Sequence, residues 1–335
     1  MKTEIFSNRF FTVINRPDLF IKCLVISLVA LTVSGTSYAS WKTEREVLDH
    51  QLRFDRFKVY FTTSGDAAFF QDVRPDAATM ETKLFALRDQ LQRGDLFYQK
   101  ALGLLPPPDS PKGLQAKSIH LHVLAMDKKM GSAGDTVQQM NYRHFKDNEP
   151  ALLIALSRRW KPGNLTPEHE LFHLYQYGYT HFKNPWYLEG LAASVEFYFR
   201  GGLLSADSES LPKTTAEINS LLKRSYSAKV FWNKMLQSCL KETMQSRFDV
   251  QNSQTNAMKS NWLKALLEEL AIQDRKAAED RGIDPVRWPE KEQRSVRNHP
   301  YILQGIQNSL SLCEGKSTNE VKLFSLAIDR YKQEL

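Results

Sequence analysis

Residues 167–197 read PEHELFHLYQYGYTHFKNPWYLEGLAASVEF, and this stretch determines both the expected fold and the expected chemistry. The Thr-Pro pair at 166–167 is a helix start signal, because threonine caps helices and proline suits their first turn. Gly178 is expected to end that helix. The Asn-Pro pair at 184–185 repeats the start signal. The stretch therefore predicts two consecutive helices joined by a short loop.

The first of these helices carries an H-E-x-x-H motif, formed by His169, Glu170 and His173. Residues four apart project from the same face of a helix, so both imidazoles can reach one metal ion. Zinc suits two neutral imidazoles and a carboxylate, with the fourth position left for water. Glu170 is offset by about 100° around the helix, where it can act on that water without binding the metal. The motif therefore predicts a catalytic zinc site with Glu170 as the general base.

A third ligand is needed, and its position separates the classes of zinc enzyme. The metzincin pattern requires a glycine and a histidine where this chain has Gln176 and Tyr179, and His181 comes two residues too late. Glu189 fits better, because it follows His173 by sixteen residues and lies about one turn into the second helix. Glu196 is the alternative, about 10 Å further along that helix. We predict Glu189 as the ligand and Glu196 as a supporting or structural carboxylate.

This segment resembles the gluzincin metallopeptidases, and most closely the broad peptidase-MA-like group. In that group H-E-x-x-H is followed by a W-x-x-E-G-x-A type helix, matched here by Trp186, Glu189, Gly190 and Ala192. The resemblance covers about thirty residues closely and implies a zincin-like fold. It implies His169, His173 and Glu189 as zinc ligands and Glu170 as the catalytic base. It also implies that a strand near 151–157 pairs with the substrate backbone as a sheet edge.

The chain departs from the family in two respects. Some gluzincins carry an acidic residue four positions after the third ligand, where this chain has Ala193. The partner that would support a zinc-bound histidine is therefore unassigned. No motif matches the family's donor to the transition state, and Tyr226, His299 and Tyr301 are the candidates.

Outside this segment the chain divides into an α/β half and a helical half. Alternating or apolar runs at 57–63, 118–126 and 151–156 predict strands, and residues 41–53 and 76–102 are expected to be helical. Further helices are expected near 214–224, 228–243, 256–281, 300–313 and 317–333. The predicted class is α+β: a small lobe with a mixed sheet, then a mainly helical lobe. We expect a catalytic region at 40–204 and a helical lobe at 205–335.

Two smaller patterns carry structural expectations. His120 and His122 share one face of a predicted strand, because side chains two apart point the same way. Half-exposed strand histidines are the expectation, with a metal role as the alternative. Gly190, Ala192 and Ala193 make the second helix slim, which favours close packing on the first helix.

The N-terminus has the layout of a secretory signal. Basic residues precede an apolar run at 23–33 that is too short for a comfortable transmembrane helix. Small residues at Ser37 and Ala39 predict cleavage after Ala39, so residues 1–39 would be removed. The protein is then periplasmic or extracellular, without a membrane span. An uncleaved N-terminal anchor is the alternative. In an oxidising compartment Cys239 and Cys313 can pair, or they can remain separate buried thiols.

Composition excludes several other classes. Hydrophobic residues make up 42% of the 335 residues and charged residues 25%, as in globular proteins. The net charge of +7 is spread along the chain, whereas nucleic-acid-binding proteins gather basic residues on one face. We therefore expect no nucleic-acid partner. The sequence predicts a zinc-dependent peptidase acting on a peptide or protein. The alternatives are an inactive zinc- or peptide-binding protein on the same scaffold, and an envelope interaction module that uses the helices at 228–243 and 256–281.

Overall fold

The computed structural model describes residues 41–70, 77–203, 206–240, 262–313 and 318–335. The predicted signal at 1–39 lies outside these ranges, as do residues 256–261 of one predicted helix. Within the described ranges, no helix combines the length and the apolar character that crossing a membrane would need.

The described residues form a five-stranded sheet followed by a series of helices. The strands are β1 (His50–Phe54), β2 (Phe57–Phe61), β3 (Ser118–Leu124), β4 (Gly131–Ala133) and β5 (Ala151–Ser157). The helices are α1 (Trp41–Glu46), α2 (Ala77–Leu96), α3 (Thr166–Tyr179), α4 (Pro185–Val195), α5 (Thr215–Leu222), α6 (Lys229–Cys239), α7 (Trp262–Arg281), α8 (Glu290–Gln293), α9 (His299–Ser309) and α10 (Asn319–Gln333). The predicted α+β class is confirmed, with a mixed sheet first and mostly helices after it.

The sheet has the strand order β1-β2-β3-β5-β4. Strands β2, β3 and β5 run parallel, while β1 and β4 pair antiparallel at the two edges. The expectation that residues 151–157 form a sheet edge is therefore wrong, because β5 lies between β3 and β4. The edge beside the motif helix is β4. It was missed in the sequence because three residues, Gly-Ser-Ala, are too short to show an alternating pattern.

Both faces of the central strands are covered, which explains their continuous apolar sequence. On β5, Leu152, Ile154 and Leu156 join the large core that packs against the helices. The alternate residues of β5 join a smaller cluster on the opposite face, built around Tyr60 and Tyr142. The large core continues into the helical half, so the predicted boundary near 204 marks a change of element type within one continuous core.

Of the three small residues on helix α4, Gly190 packs toward α6, although α4 also contacts α3. A Cβ atom at Gly190 would lie 2.8 Å from Cβ of Ala228 and 3.0 Å from a ring atom of Trp232. The lack of a side chain at Gly190 therefore lets α4 lie close to α6 and the segment that leads into it, whereas close packing on α3 was expected. Trp186 strengthens the same contact, since its ring stacks on Trp232 with centroids 5.9 Å apart.

Several predicted bounds need correction. Only Trp41–Glu46 of the stretch 41–53 is helical, because His50–Phe54 alternates and pairs with β2. The predicted helix 76–102 is α2 followed by a π-helical turn at Phe97–Ala101. Helix α4 ends at Val195 and passes into a 3-10 turn at Glu196–Phe199.

The helical half contains a disulfide between Cys239 and Cys313. It joins the end of α6 to the segment after α9, across 74 positions of sequence. The sequence left this pairing open because it could not measure the separation of the two residues in space.

Candidate metal centre

Helix α3 presents the two motif histidines on one face. It begins at Thr166 itself, so this threonine is the first helical residue and not the capping residue before it. The N-cap position is occupied by Leu165, and Oδ1 of Asn164, one residue earlier, accepts hydrogen bonds from the Thr166 amide (2.9 Å) and hydroxyl (2.6 Å). The rings of His169 and His173 lie with centroids 4.6 Å apart and both are buried. The helical spacing therefore produces the juxtaposition that the motif predicts.

Helix α4 brings Glu189 to these rings. Its Oε2 lies 3.3 Å from Nε2 of His169 and 3.4 Å from Nε2 of His173. One ligand atom from each residue falls within 4.8 Å of the others. Both imidazoles thus turn the same nitrogen toward one carboxylate oxygen, which is the arrangement that three ligands of a tetrahedral zinc ion require.

The opposite nitrogens of both rings are held by hydrogen bonds. Nδ1 of His169 lies 2.9 Å from Oε1 of Glu196, and Nδ1 of His173 lies 2.8 Å from Oε1 of Gln176. Acceptors at Nδ1 favour a proton there, which leaves the Nε2 lone pairs for a metal. Glu196, predicted as a supporting or structural carboxylate, thus lies against the Nδ1 side of His169. Gln176 was missed, although its place three residues after His173 puts both on one helix face.

Negative charge surrounds the two imidazoles. Burial opposes protonation of His169, but hydrogen bonds to Glu189 and Glu196 outweigh it and raise its pKa to about 10. Burial likewise favours the neutral form of Glu189, yet hydrogen bonds from the two histidines bring its pKa well below the usual range. The site thus stabilises positive charge strongly. A divalent cation satisfies the same carboxylates without an added proton.

Glu170 lies beside this group and is buried. Burial raises the pKa of its carboxyl, with the two histidines acting in the opposite direction. Its side chain passes close to the edge strand, since a Cβ atom at Gly131 would lie 2.6 Å from Oε1 of Glu170. A carboxylate with a raised pKa, next to a metal site and not bound to it, is suited to general base chemistry.

Of the three donor candidates, the structure brings Tyr226 to the site. Its ring stacks on His169 with centroids 5.9 Å apart, and its hydroxyl donates to Glu189. Burial and Glu189 raise the pKa of Tyr226, so it remains a donor at neutral pH. His299 packs against Trp186 instead, and the hydroxyl of Tyr301 donates to Asp280 at 2.7 Å. Neither lines the cleft.

These residues lie in a cleft of about 780 Å³. Strand β4 and the loop before it form one wall, and α3 and α4 form the floor. Further lining comes from the loop after α3, from Tyr226 and from the segment around α8. His181, a rejected ligand candidate, lies elsewhere: its Nδ1 is 3.0 Å from Asp274 on α7, with Trp288 stacked on its ring.

A second grouping of possible ligands lies on the far face of the sheet. His120, Asp147 and Glu149 offer ligand atoms within 4.8 Å of one another. However, Nζ of Lys58 lies 2.7 Å from Asp147 and 2.6 Å from Glu149, so one ammonium already pairs with both acids.

The two histidines of β3 are also more buried than the sequence suggested. Both His120 and His122 are fully buried, because Tyr142 covers them and lies within hydrogen-bond distance of both rings. The expectation that they are half-exposed is therefore wrong.

A scan against protein-family models and searches of curated proteins and of solved structures return no match to this chain.

Proposed function

We propose that this protein is a zinc-dependent metallopeptidase of gluzincin type. One observation carries the proposal: two imidazole Nε2 atoms and one oxygen of Glu189 converge in an open cleft, with the buried Glu170 beside them. The stability of the fold does not require three carboxylates, those of Glu170, Glu189 and Glu196, around two histidines in a cleft. Metal-assisted hydrolysis requires such a set.

The residues that would hold zinc are His169, His173 and Glu189, with Glu196 and Gln176 fixing the imidazoles. When bound, the ion would polarise the scissile carbonyl and make a water molecule acidic enough to lose a proton near neutral pH. Glu170 accepts that proton and carries it to the leaving amine, a transfer that its raised pKa favours. Tyr226, whose ring stacks on His169, offers a hydroxyl donor that could stabilise the negative charge that develops on the carbonyl oxygen.

Strand β4 is the element that would hold the substrate backbone. Gly131, Ser132 and Ala133 all line the cleft, and β4 is the last strand of the sheet that the described residues form, so its outer edge pairs with no other strand among them. An extended peptide can add to such an edge through main-chain hydrogen bonds. The substrate-binding strand that the resemblance implied near 151–157 is thus assigned to β4.

Export to an oxidising compartment is part of the proposal. The signal-like segment at 1–39 suggests it, and the Cys239–Cys313 disulfide supports it because such bonds persist mainly outside the cytosol.

The test combines metal analysis with peptide cleavage. We expect about one zinc per chain and chelator-sensitive hydrolysis of a mixed peptide pool. Glu170→Gln should keep the zinc but lose at least about a hundredfold in rate, because the base is removed and the ligands remain. Glu268→Gln, an exposed acid on α7, is the control and should behave as the wild type.

Each outcome distinguishes one alternative. Hydrolysis by Glu170→Gln at the wild-type rate would refute the assignment of the base. Zinc bound without any cleavage would favour an inactive zinc- or peptide-binding protein. A chain that binds no zinc would favour an interaction module.

A further inference from the structure

The two ends of the cleft differ in how they are built. Helix α3 runs along its floor, from Thr166 beside strand β4 to Tyr177 beside the loop after the helix. At the Thr166 end, the lining residues Lys128 and Lys129 are exposed. At the Tyr177 end, charged side chains from three separate segments meet.

These side chains form an ion-pair strap, which we define as Asp135, Lys183, Glu290 and Arg294. Nζ of Lys183 lies 3.0 Å from Asp135, which follows β4, and 2.8 Å from Glu290 at the start of α8. Glu290 also pairs with Nε of Arg294 at 2.7 Å. The Lys183 side chain is only 8% exposed, so the strap is built into the fold.

Two hydrogen bonds also join the loop after α3 to the α8 segment. The amide of Lys183 donates to the carbonyl oxygen of Gln293 at 2.8 Å. Asn184 donates to the carbonyl oxygen of Ser295 at 3.0 Å. The loop after α3 and the α8 segment are therefore fixed to each other, and Lys183 reaches from them to the wall that carries β4. A substrate chain that continued past this end would have to separate Lys183, which is buried, from Asp135 and Glu290.

The strap lies close to the candidate metal ligands. The ring of Tyr177 is 6.0 Å from the ring of His173, and Nζ of Lys183 is 5.6 Å from the Tyr177 ring. Together these two distances mean that Nζ of Lys183 lies at most about 12 Å from the ring centroid of His173. An extended chain rises about 3.3 Å per residue, so about three residues at most fit between the scissile bond and the strap.

The direction of β4 determines which end of a substrate meets the strap. Strand β4 begins at Gly131, beside Thr166 and Glu170, and the chain then reaches the strap at Asp135. Antiparallel pairing is the more stable way to extend a sheet edge. A peptide that pairs antiparallel with β4 therefore has its amino end at the strap.

Charge favours the same direction. The amino end of a peptide is cationic, and it can share the carboxylates of Asp135 and Glu290, which pair with Lys183 and Arg294 inside the strap. The part that follows the scissile bond ends in a carboxylate, and it would lie toward Lys128 and Lys129. Neither lysine forms a close ion pair with a carboxylate among the residues that the structure describes, and Lys129 interacts with Glu170 only at longer range.

We propose that the protein removes short amino-terminal fragments of about one to three residues from peptides with a free amino end. This inference rests on the proposed function. The reaction is hydrolysis: the water oxygen joins the carbonyl carbon, the C–N bond breaks, and the proton taken by Glu170 passes to the leaving amine.

The first experiment compares two forms of a peptide of about ten residues, one with a free amino end and one acetylated, both amidated at the carboxyl end. We expect products shortened by about one to three amino-terminal residues from the free form. The acetylated form should be cleaved at least about tenfold more slowly, since it lacks the charged group. Cleavage of both forms at internal bonds with similar rates would overturn the inference and leave the proposed function standing.

A second experiment alters the strap. Lys183→Met removes its central cation and should increase internal cleavage of the acetylated peptide. Glu290→Ala, at a more exposed position, should do so in part and carries less risk to folding. Lys276→Met, which removes an exposed ion pair on α7, is the matched control and should change nothing. Unchanged cleavage positions in both folded strap variants would count against the strap as the limit.

A binding measurement separates failure of the inference from failure of the proposed function. Glu170→Gln, loaded with zinc, is titrated with both peptides, each carrying a fluorophore at the carboxyl end. We expect at least about tenfold tighter binding of the free form even if the wild type proves inactive. Equal affinities, or no binding of either peptide, would overturn the inference.

Discussion

Single residues decide which carboxylate could hold the proposed metal ion. Glu189 and Glu196 both approach His169, but on opposite sides of its ring: Glu189 faces Nε2 and Glu196 faces Nδ1. The same oxygen of Glu189 also lies 3.4 Å from Nε2 of His173, so the Nε2 side of His169 is the side that faces the second imidazole. Glu196 acts through the imidazole, because it fixes the proton and orientation of the ring.

Removal of each acid should therefore affect zinc differently. Glu189→Ala should reduce zinc affinity the most, because it deletes a ligand. Glu196→Ala should reduce it by about 10- to 100-fold, the usual effect of losing a hydrogen bond to a ligating histidine. Competition with a chromogenic chelator measures both. Glu196→Gln, which keeps an acceptor, is the control and should lie close to the wild type. A larger loss from Glu196→Ala than from Glu189→Ala would overturn the ligand assignment.

At the scale of elements, helix α2 holds the start of α3 in place. Glu168, next to the first motif histidine, is completely buried and receives hydrogen bonds from Gln90 and Arg93 of α2. The hydroxyl of Tyr98 donates to its carbonyl oxygen at 2.7 Å. A buried, paired carboxylate at this point fixes the position of the turn that carries His169 and Glu170.

Strand β4 and helix α3 approach each other at Gly131. A Cβ atom at this position would lie 2.5 Å from Cγ2 of Thr166 and 2.6 Å from Oε1 of Glu170. A side chain cannot fit there unless Glu170 moves. The glycine therefore lets the edge strand and the proposed base lie side by side.

Gly131→Ala should displace the Glu170 carboxylate and lower the rate of hydrolysis by about a hundredfold, the cost of misplacing a catalytic group by about 1 Å. Zinc content should stay the same, because no ligand contacts Gly131. Gly134→Ala is the matched control: its Cβ would meet the nearest atom at 3.5 Å, an ordinary contact. A Gly131→Ala variant as active as the wild type would show that Glu170 tolerates the shift or is not the base.

At the scale of the whole molecule, the disulfide joins distant parts of the helical half. Cys239 and Cys313 are both buried in the large core, and neither lines the cleft. The bond therefore acts on stability and not on the chemistry.

Replacing both cysteines by serine should lower the melting temperature. In the chain-entropy model, a loop closed across 74 residues raises the free energy of the unfolded chain by up to about 4.5 kcal/mol. Thermal unfolding measures the change, with the wild type plus reductant as the comparison. Zinc affinity should be unaltered in the folded variant. An unchanged melting temperature would show that the bond contributes nothing to stability.

The local sequence determined the parts of this protein that depend on helical periodicity. The motif spacing placed His169 and His173 on one helix face with Glu170 beside them, and the Asn-Pro signal placed Glu189 on the next helix. The capping box of Thr214 and Glu217 was also predictable, because both of its hydrogen bonds lie within one turn. Such features involve residues close in sequence, so they can be predicted from one sequence without the structure.

Tertiary structure decided the contacts between residues distant in sequence. The burial of His120 and His122 under Tyr142 depends on a loop crossing the sheet. The edge position of β4 depends on strand order, which no short segment encodes. Likewise, the strap joins Asp135, Lys183 and Glu290 across 155 positions of sequence. Pairing over such separations depends on packing of the whole core, because local propensity carries no information about which distant surfaces will meet.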